Sequence, residues 1–345
     1  MQGRAVKQLA LRIANRTVRA LASWVSFWDR RETGESLALV RMLVPLVIVW
    51  DLLEVLRLGL VAPLWAPMDE GGIGPATYAE PVSVFYSWLG ASAANAWWLF
   101  ALALASALSL GVGFFSRISA LILLFAYSQL ALLSPDADRG VDTLLRNVMI
   151  VLAFSQAGAT LSVDAYRKHR RWVSDELVLS WPRYLVVAQL VLLYFFAGML
   201  KQASNWSYSS GYSALWLVME KPHFVKYELP RALVLPLYPL FQAGTLSTVI
   251  WERSAILLPL LLWLRSTRER PGKLRAFVNR ARLLEVWVGT GIFFHLSLAL
   301  LLALGAFPWG CLALYPALAN PRTWRSWAAH AKAAWSARAT RTRAA

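Results

Sequence analysis

Long apolar runs alternate along this chain with short charged segments. The runs lie at about 37–58, 94–115, 118–133, 142–161, 184–200 and 246–264, with a half-length apolar segment at 232–241 ahead of the last. Most are close to 20 residues, the length an α-helix needs to cross ~30 Å of hydrocarbon. None shows the roughly ten-residue alternation of a membrane β-barrel strand. The apolar stretch 283–319 is too long for one crossing, and Gly305, Pro308 and Gly310 divide it into a full span and a short return segment. The pattern predicts an all-α polytopic integral membrane protein. It has about eight transmembrane helices, seven long and one short or re-entrant.

Ahead of the first span, residues 5–30 read as an interfacial helix. At 100° per residue Arg12, Arg16 and Arg19 share one face, and Leu21, Trp24, Val25 and Trp28 share the other. Such a helix lies in the headgroup region of anionic lipid. The chain therefore divides into a basic interfacial segment (1–32), a transmembrane domain (33–320) and a basic tail (321–345).

Composition agrees with the pattern. Of the 345 residues 58% are hydrophobic and 16% charged, against about 25% charged in soluble domains. The net charge of +16 invites a nucleic-acid reading, but the basic residues are confined to segments between the apolar runs. That is the signature of the positive-inside rule. Seven Lys/Arg precede the first span, five lie between Asp164 and Arg183, seven between Arg265 and Arg282, and six in the tail, whereas the 59–93 loop is acidic. Both termini are then expected in the cytoplasm and the protein in the inner (plasma) membrane. Lys201, Asp138 and Asp142 fall on the outer side. The first residues lack the apolar core and small-residue cleavage site of a signal peptide. A single cysteine, Cys311, rules out an intrachain disulfide.

Soluble-enzyme motifs are absent, and no internal repeat with paired broken helices points to a transporter. The histidines (His169, His223, His295, His330) are scattered at spacings that support no metal site. Attention falls instead on charges set into apolar runs, which are costly there and often functional. Lys201 ends the fifth run, with Trp206 close behind. As a snorkelling anchor it serves structure; held in apolar surroundings, its amine serves as base or nucleophile. Asp142 and Arg146 stand four apart and predict an intrahelical ion pair. His295 lies mid-span and calls for a hydrogen bond to a neighbouring helix. Glu252 reads as interfacial or structural, and Arg41 is expected to pair with one of these carboxylates.

Five segments also carry a family likeness. They are Ser36-Leu37-Ala38-Leu39-Val40-Arg41, Gly140-Val141-Asp142-Thr143-Leu144-Leu145-Arg146, Ser162-Val163-Asp164, Tyr194-Phe195-Phe196-Ala197-Gly198 with Lys201, Trp206 and Gly211, and His295 with Phe307-Pro308-Trp309. In this order the chain resembles the HTTM (horizontally transferred transmembrane) family, which is related to the membrane domain of vitamin K-dependent γ-glutamyl carboxylases. The resemblance implies that Lys201 is the base acting on a reduced quinone or vitamin K-like molecule. Asp142 and His295 would be its catalytic neighbours, with Arg41, Arg146, Tyr194, Trp206 and Glu252 binding the ligand. The sequence departs from the carboxylases at Val141-Asp142, where they have Asn-His. A carboxylate beside Lys201 favours its charged form and opposes a base. Other members of the family accompany secreted peptides, as in the sporulation-delaying peptide system. They imply the alternative role of a non-enzymatic partner in peptide maturation or export.

Overall fold

With no water in hydrocarbon to satisfy a peptide bond, a chain crosses a bilayer as helix or as closed barrel. This one does so as helix. The computed structural model of the protein describes residues 18, 21, 22, 25, 26, 28–73, 88–228 and 230–344. The expected interfacial helix at 5–30 lies largely outside the described residues. A short strand β1 (Arg31–Thr33) leads into α1 (Glu35–Arg57) and α2 (Val61–Trp65). There follow α3 (Ala93–Val112), α4 (Ser116–Leu133), α5 (Gly140–Ala153), α6 (Val163–His169), strand β2 (Leu177–Leu179) and α7 (Trp181–Leu200). The second half holds α8 (Ala214–Met219), α9 (Arg231–Ser254), α10 (Leu258–Ser266), α11 (Lys273–Arg280), α12 (Leu283–Leu301), α13 (Phe307–Leu312) and α14 (Pro321–Ala344).

Six helical stretches among the described residues are long and apolar enough to cross a membrane. They are α1, α3, α4, α7, the α9–α10 run over Leu235–Ser266 and the α11–α12 run over Lys273–Leu301. Two of the eight expected crossings fall short of that measure. Helix α5 has 14 residues, about 21 Å, and the apolar segment Phe307–Leu318 is shorter still. Helix α5 stops early because Ser155 Oγ takes the Leu152 carbonyl at 2.9 Å and accepts from the Ala157 amide at 3.2 Å, which turns the chain. The half-span expected at 232–241 and the sixth run are instead one helical column. A single 3-10 turn, Ala255–Leu257, joins its two parts, and Pro236 and Pro239 are carried inside α9.

The bundle meets its surroundings with apolar side chains. Leu46, Trp50, Leu108, Phe125, Leu192, Phe196, Phe293 and Leu300 are all exposed, a contiguous apolar surface that a soluble protein would not show. Inside, small residues set the helix spacing. Ala96, Ala103 and Ala107 of α3 are buried with Ala120 and Ala126 of α4, which lets the two backbones approach closely.

Arg41 corrects an expectation. Among the described residues no carboxylate pairs with it directly; its guanidinium donates to the carbonyls of Leu110 (2.7 Å), Gly111 (2.8 Å) and Leu161 (2.6 Å). Leu110 and Gly111 belong to the last turn of α3, where carbonyls have no partner within the helix. The side chain is 0% exposed, so α1 thereby caps α3 and holds the turn before α6. Gly113 makes room for this clamp. Its φ is +73°, and a Cβ there would lie 2.6 Å from Arg41 Nη1 and 2.4 Å from Ser162 Cβ. Asp164 completes the corner by accepting from the Phe115 and Ser116 amides, at 2.9 and 2.8 Å, at the start of α4.

Beside this corner β1 and β2 pair antiparallel, with Arg31 opposite Leu179. Arg183 at the head of α7 bridges to Glu32 (2.6 Å) and to the Ala317 carbonyl (3.0 Å). These contacts gather the basic segments at one end of the bundle. Lys168 and, after it, His169 hold the Glu176 carboxyl below the usual carboxylate range.

Two outcomes are expected. Arg41→Met should lower stability by on the order of 2–4 kcal/mol, since buried carbonyls lose charged donors. Arg41→Lys should recover little, because an ammonium lacks the planar fork. Thermal unfolding in detergent reads both. For Glu176, whose folded pKa is depressed, the associated stability is present above the ordinary carboxylate range and is lost as pH falls through the lowered value. Protection factors over 163–179, taken relative to the intrinsic exchange rate at each pH, should therefore fall on acidification in the native protein and lose that dependence in Glu176→Gln.

Candidate functional site

Helix α7 ends because Lys201 leaves helical geometry, with ψ at 69°. Its side chain turns back to donate to the Ala197 carbonyl at 3.3 Å, where the helix C-terminus favours a cation. Both oxygens of Glu252 on α9 receive the ammonium, at 2.8 and 2.6 Å. The carboxylate side chain is 6% exposed and the lysine 20%. Gly198 brings the two helices this close. A Cβ there would sit 2.9 Å from both the Arg253 amide nitrogen and Glu252 Cβ. Arg253 adds a reciprocal contact, Nε to the Gly198 carbonyl at 3.0 Å. The Trp206 ring lies 5.0 Å from Lys201 Nζ, within cation–π range.

Two helical turns earlier on α7, the Tyr194 hydroxyl meets His295 Nε2 at 2.7 Å and the Tyr315 hydroxyl at 3.2 Å. This is the interhelical bond expected of His295. The imidazole is 0% exposed and is walled by Phe294, Phe307 and Trp251. Its Nδ1 finds no partner among the described residues. Trp251 joins the two clusters. Its ring centre is 4.6 Å from that of Tyr194, its indole donates to the Trp287 carbonyl at 3.0 Å, and Glu252 follows it in sequence.

The pairing expected between Asp142 and Arg146 is replaced by two others. Asp142 Oδ2 accepts from both the backbone and Nε of Arg139 at 2.9 Å, and its Oδ1 accepts from the Tyr127 hydroxyl at 2.6 Å. Arg139 also bridges to Asp51. Arg146 reaches back to Asp138 in a two-pronged bond of 2.7 and 2.6 Å. Asp142 sits in the first turn of α5, so its nearest cation is the residue heading that helix rather than one a turn further on. The carboxylate that holds Lys201 is accordingly Glu252, not Asp142.

Lys201, Glu252 and Trp206 thus form one cluster, with Tyr194 and His295 adjoining it through Trp251. Asp142 and Arg146 belong to separate ion pairs around the head of α5, and Arg41 to the clamp on α3. Residues that sequence reasoning passed over are Arg139, Trp251 and Tyr315. Arg139 had a readable signal, since a carboxylate at the third position of a helix accepts from the backbone of the residue heading it, as Asp142 Oδ2 does from Arg139. A groove of about 270 Å³ lies elsewhere, lined by Ser116, Arg117, Gln156, Lys168, His169 and Glu176. It holds none of these site residues.

A bundle of apolar helices whose buried charges are matched by partners on neighbouring segments defines a polytopic membrane protein with a charged couple at the end of one span. The chain belongs to the HTTM domain family, whose model matches residues 30–238, more than half of its length. The match takes in Arg41, Asp142, Arg146, Tyr194, Lys201 and Trp206, while Glu252 and His295 lie beyond it. No curated protein and no solved structure matches the chain.

Lys201 and Glu252 should show strong energetic coupling. Lys201→Met alone leaves a carboxylate buried without its cation and should be the more destabilising change, by about 3 kcal/mol. Lys201→Met with Glu252→Gln should recover a large part of that loss. A double-mutant cycle on detergent-purified protein measures the coupling, and strict additivity of the two changes would contradict a working pair.

Proposed function

We propose that this protein acts in the inner membrane on a lipid-soluble molecule bearing an ionisable oxygen, of the reduced-quinone type. In this reading the Lys201–Glu252 couple moves the proton at an outward-facing site. The observation that carries it is the two-pronged Lys201–Glu252 contact, half enclosed by Trp206 and set against an aromatic wall. In water such a couple stays ionised. When an apolar ligand displaces water, the neutral amine and carboxylic acid become competitive with the ion pair. Glu252 then holds the proton, and the Lys201 amine is free to take one from a ligand hydroxyl. The resulting ammonium stabilises the oxyanion. A bound reduced quinone would supply the reactive oxygen; the chain supplies base, proton store and dry surroundings. Tyr194 and His295, tied together by a hydrogen bond, position the wall behind the couple. This reading keeps the carboxylase-like lysine, with Glu252 as the carboxylate beside it in place of Asp142, whose charge is engaged by Arg139 and Tyr127.

A second reading is favoured by the completeness with which protein groups already surround Lys201. There the couple is structural, and the protein is a non-enzymatic partner in maturation or export of a secreted peptide. Native mass spectrometry of protein extracted from its own membranes separates the two. On the first reading a quinone-class molecule co-purifies, and Lys201→Met with Glu252→Gln, which removes the couple without stranding a charge, lowers its occupancy by about tenfold or more, as loss of a charge-assisted bond implies, without reducing the yield of folded protein. Unchanged quinone occupancy in that double variant, or a bound peptide in place of a quinone, supports the second.

A further inference from the structure

The basic tail is a helix. From Pro321 to Ala344 it runs 24 residues, about 36 Å, and carries six Lys/Arg and no acidic residue. Its first turn is fastened to the end of the bundle where the first span begins. Trp324 Nε1 donates to Ser36 Oγ at 3.0 Å, and Arg325 bridges to Glu35 and Asp175 and donates to the Ser174 carbonyl at 2.7 Å. Beyond that turn the described side chains are exposed on every face from Ser326 to Ala333 and at Trp335.

The exposed face is not uniformly polar. At 100° per residue Trp324, Trp327, Ala328, Ala331 and Trp335 make one stripe, with Arg325 and Lys332 along one side of it. Trp327 is 61% and Trp335 75% exposed. Two indoles in water on a helix already pinned beside the start of a membrane span call for a partner that is apolar in its depth and anionic at its surface. Indole rings settle at the headgroup level, and clustered Lys/Arg are drawn to anionic lipid. We propose that α14 lies in the membrane interface as an anchor for anionic phospholipid, with the Trp324–Trp335 stripe immersed and the helix's net positive charge drawing it to the headgroup phosphates.

The test uses the full chain with single cysteines for spin labelling at Ala328 and Ala331 on the stripe, and at Ala329 and Ala333 on the opposite face. Native protein, whose one cysteine Cys311 is buried, serves as the label blank. Each variant is reconstituted into phosphatidylcholine vesicles with and without phosphatidylglycerol. Phosphatidylglycerol should raise oxygen collision and depress that of a water-soluble nickel chelate at positions 328 and 331. Positions 329 and 333 should stay open to the chelate, and high salt should reverse the change. Equal access to the chelate at all four positions, or an immersion of the stripe indifferent to phosphatidylglycerol, overturns the proposal. Trp327→Ser with Trp335→Ser should abolish the lipid-dependent change while leaving the thermal transition of the bundle in place.

Discussion

A charge inside a hydrocarbon layer must find a counter-charge or a set of carbonyls, and the Lys201–Glu252 contact shows how far the fold is shaped by that demand. The lysine ends one helix and the glutamate lies fifty-one residues away on another. Their meeting requires the helices to touch at Gly198 and requires Arg253 to close the same junction from the other side. It also places Trp251 against Tyr194, so the aromatic floor of the site follows from the same helix approach. Moving α9 outward would leave a nearly buried carboxylate without its cation, the kind of defect that costs several kcal/mol.

The other charges obey the same rule by different means. Arg41 makes no direct ion pair among the described residues and is stabilised by three carbonyls freed by a helix end and a turn. Arg139 draws Asp51 and Asp142 together, tying α1 to α5. Arg183 ties β1 to α7, and Arg325 ties α14 to Glu35 and Asp175. In each case a long planar guanidinium spans two segments that apolar contact alone would leave free to slide. Arginine suits this work because its fork offers several donors in fixed geometry.

The site has the character of a couple rather than of a lone base. Lysine by itself, at the rim of an apolar helix, is equally well read as an anchor. Joined to Glu252, and with a tyrosine–histidine pair beneath, it is one half of a nearly buried ion pair that binds two helices together.

Much of this was legible in the sequence. The apolar runs announce helices because twenty residues without charge match the thickness of a bilayer, and Gly305 with Pro308 announces the break after α12, because the one frees and the other interrupts the helical backbone. The family likeness at Tyr194–Lys201 singles out the lysine. Local order, however, is silent on partners across the bundle. Spacing alone suggested Asp142 with Arg146, yet each is held by a residue nearer the head of α5. Nothing in the order of residues says that Glu252 would reach Lys201, that Arg41 would face carbonyls, or that Tyr194 would meet His295. Helical class and membrane habit arise from contiguous residues, so the sequence alone determined them, while the early stop of α5 and the joining of 232–241 to the sixth run did not follow from apolar length. Charge pairing arises from which helix faces touch, and packing across segments far apart in the chain decided that.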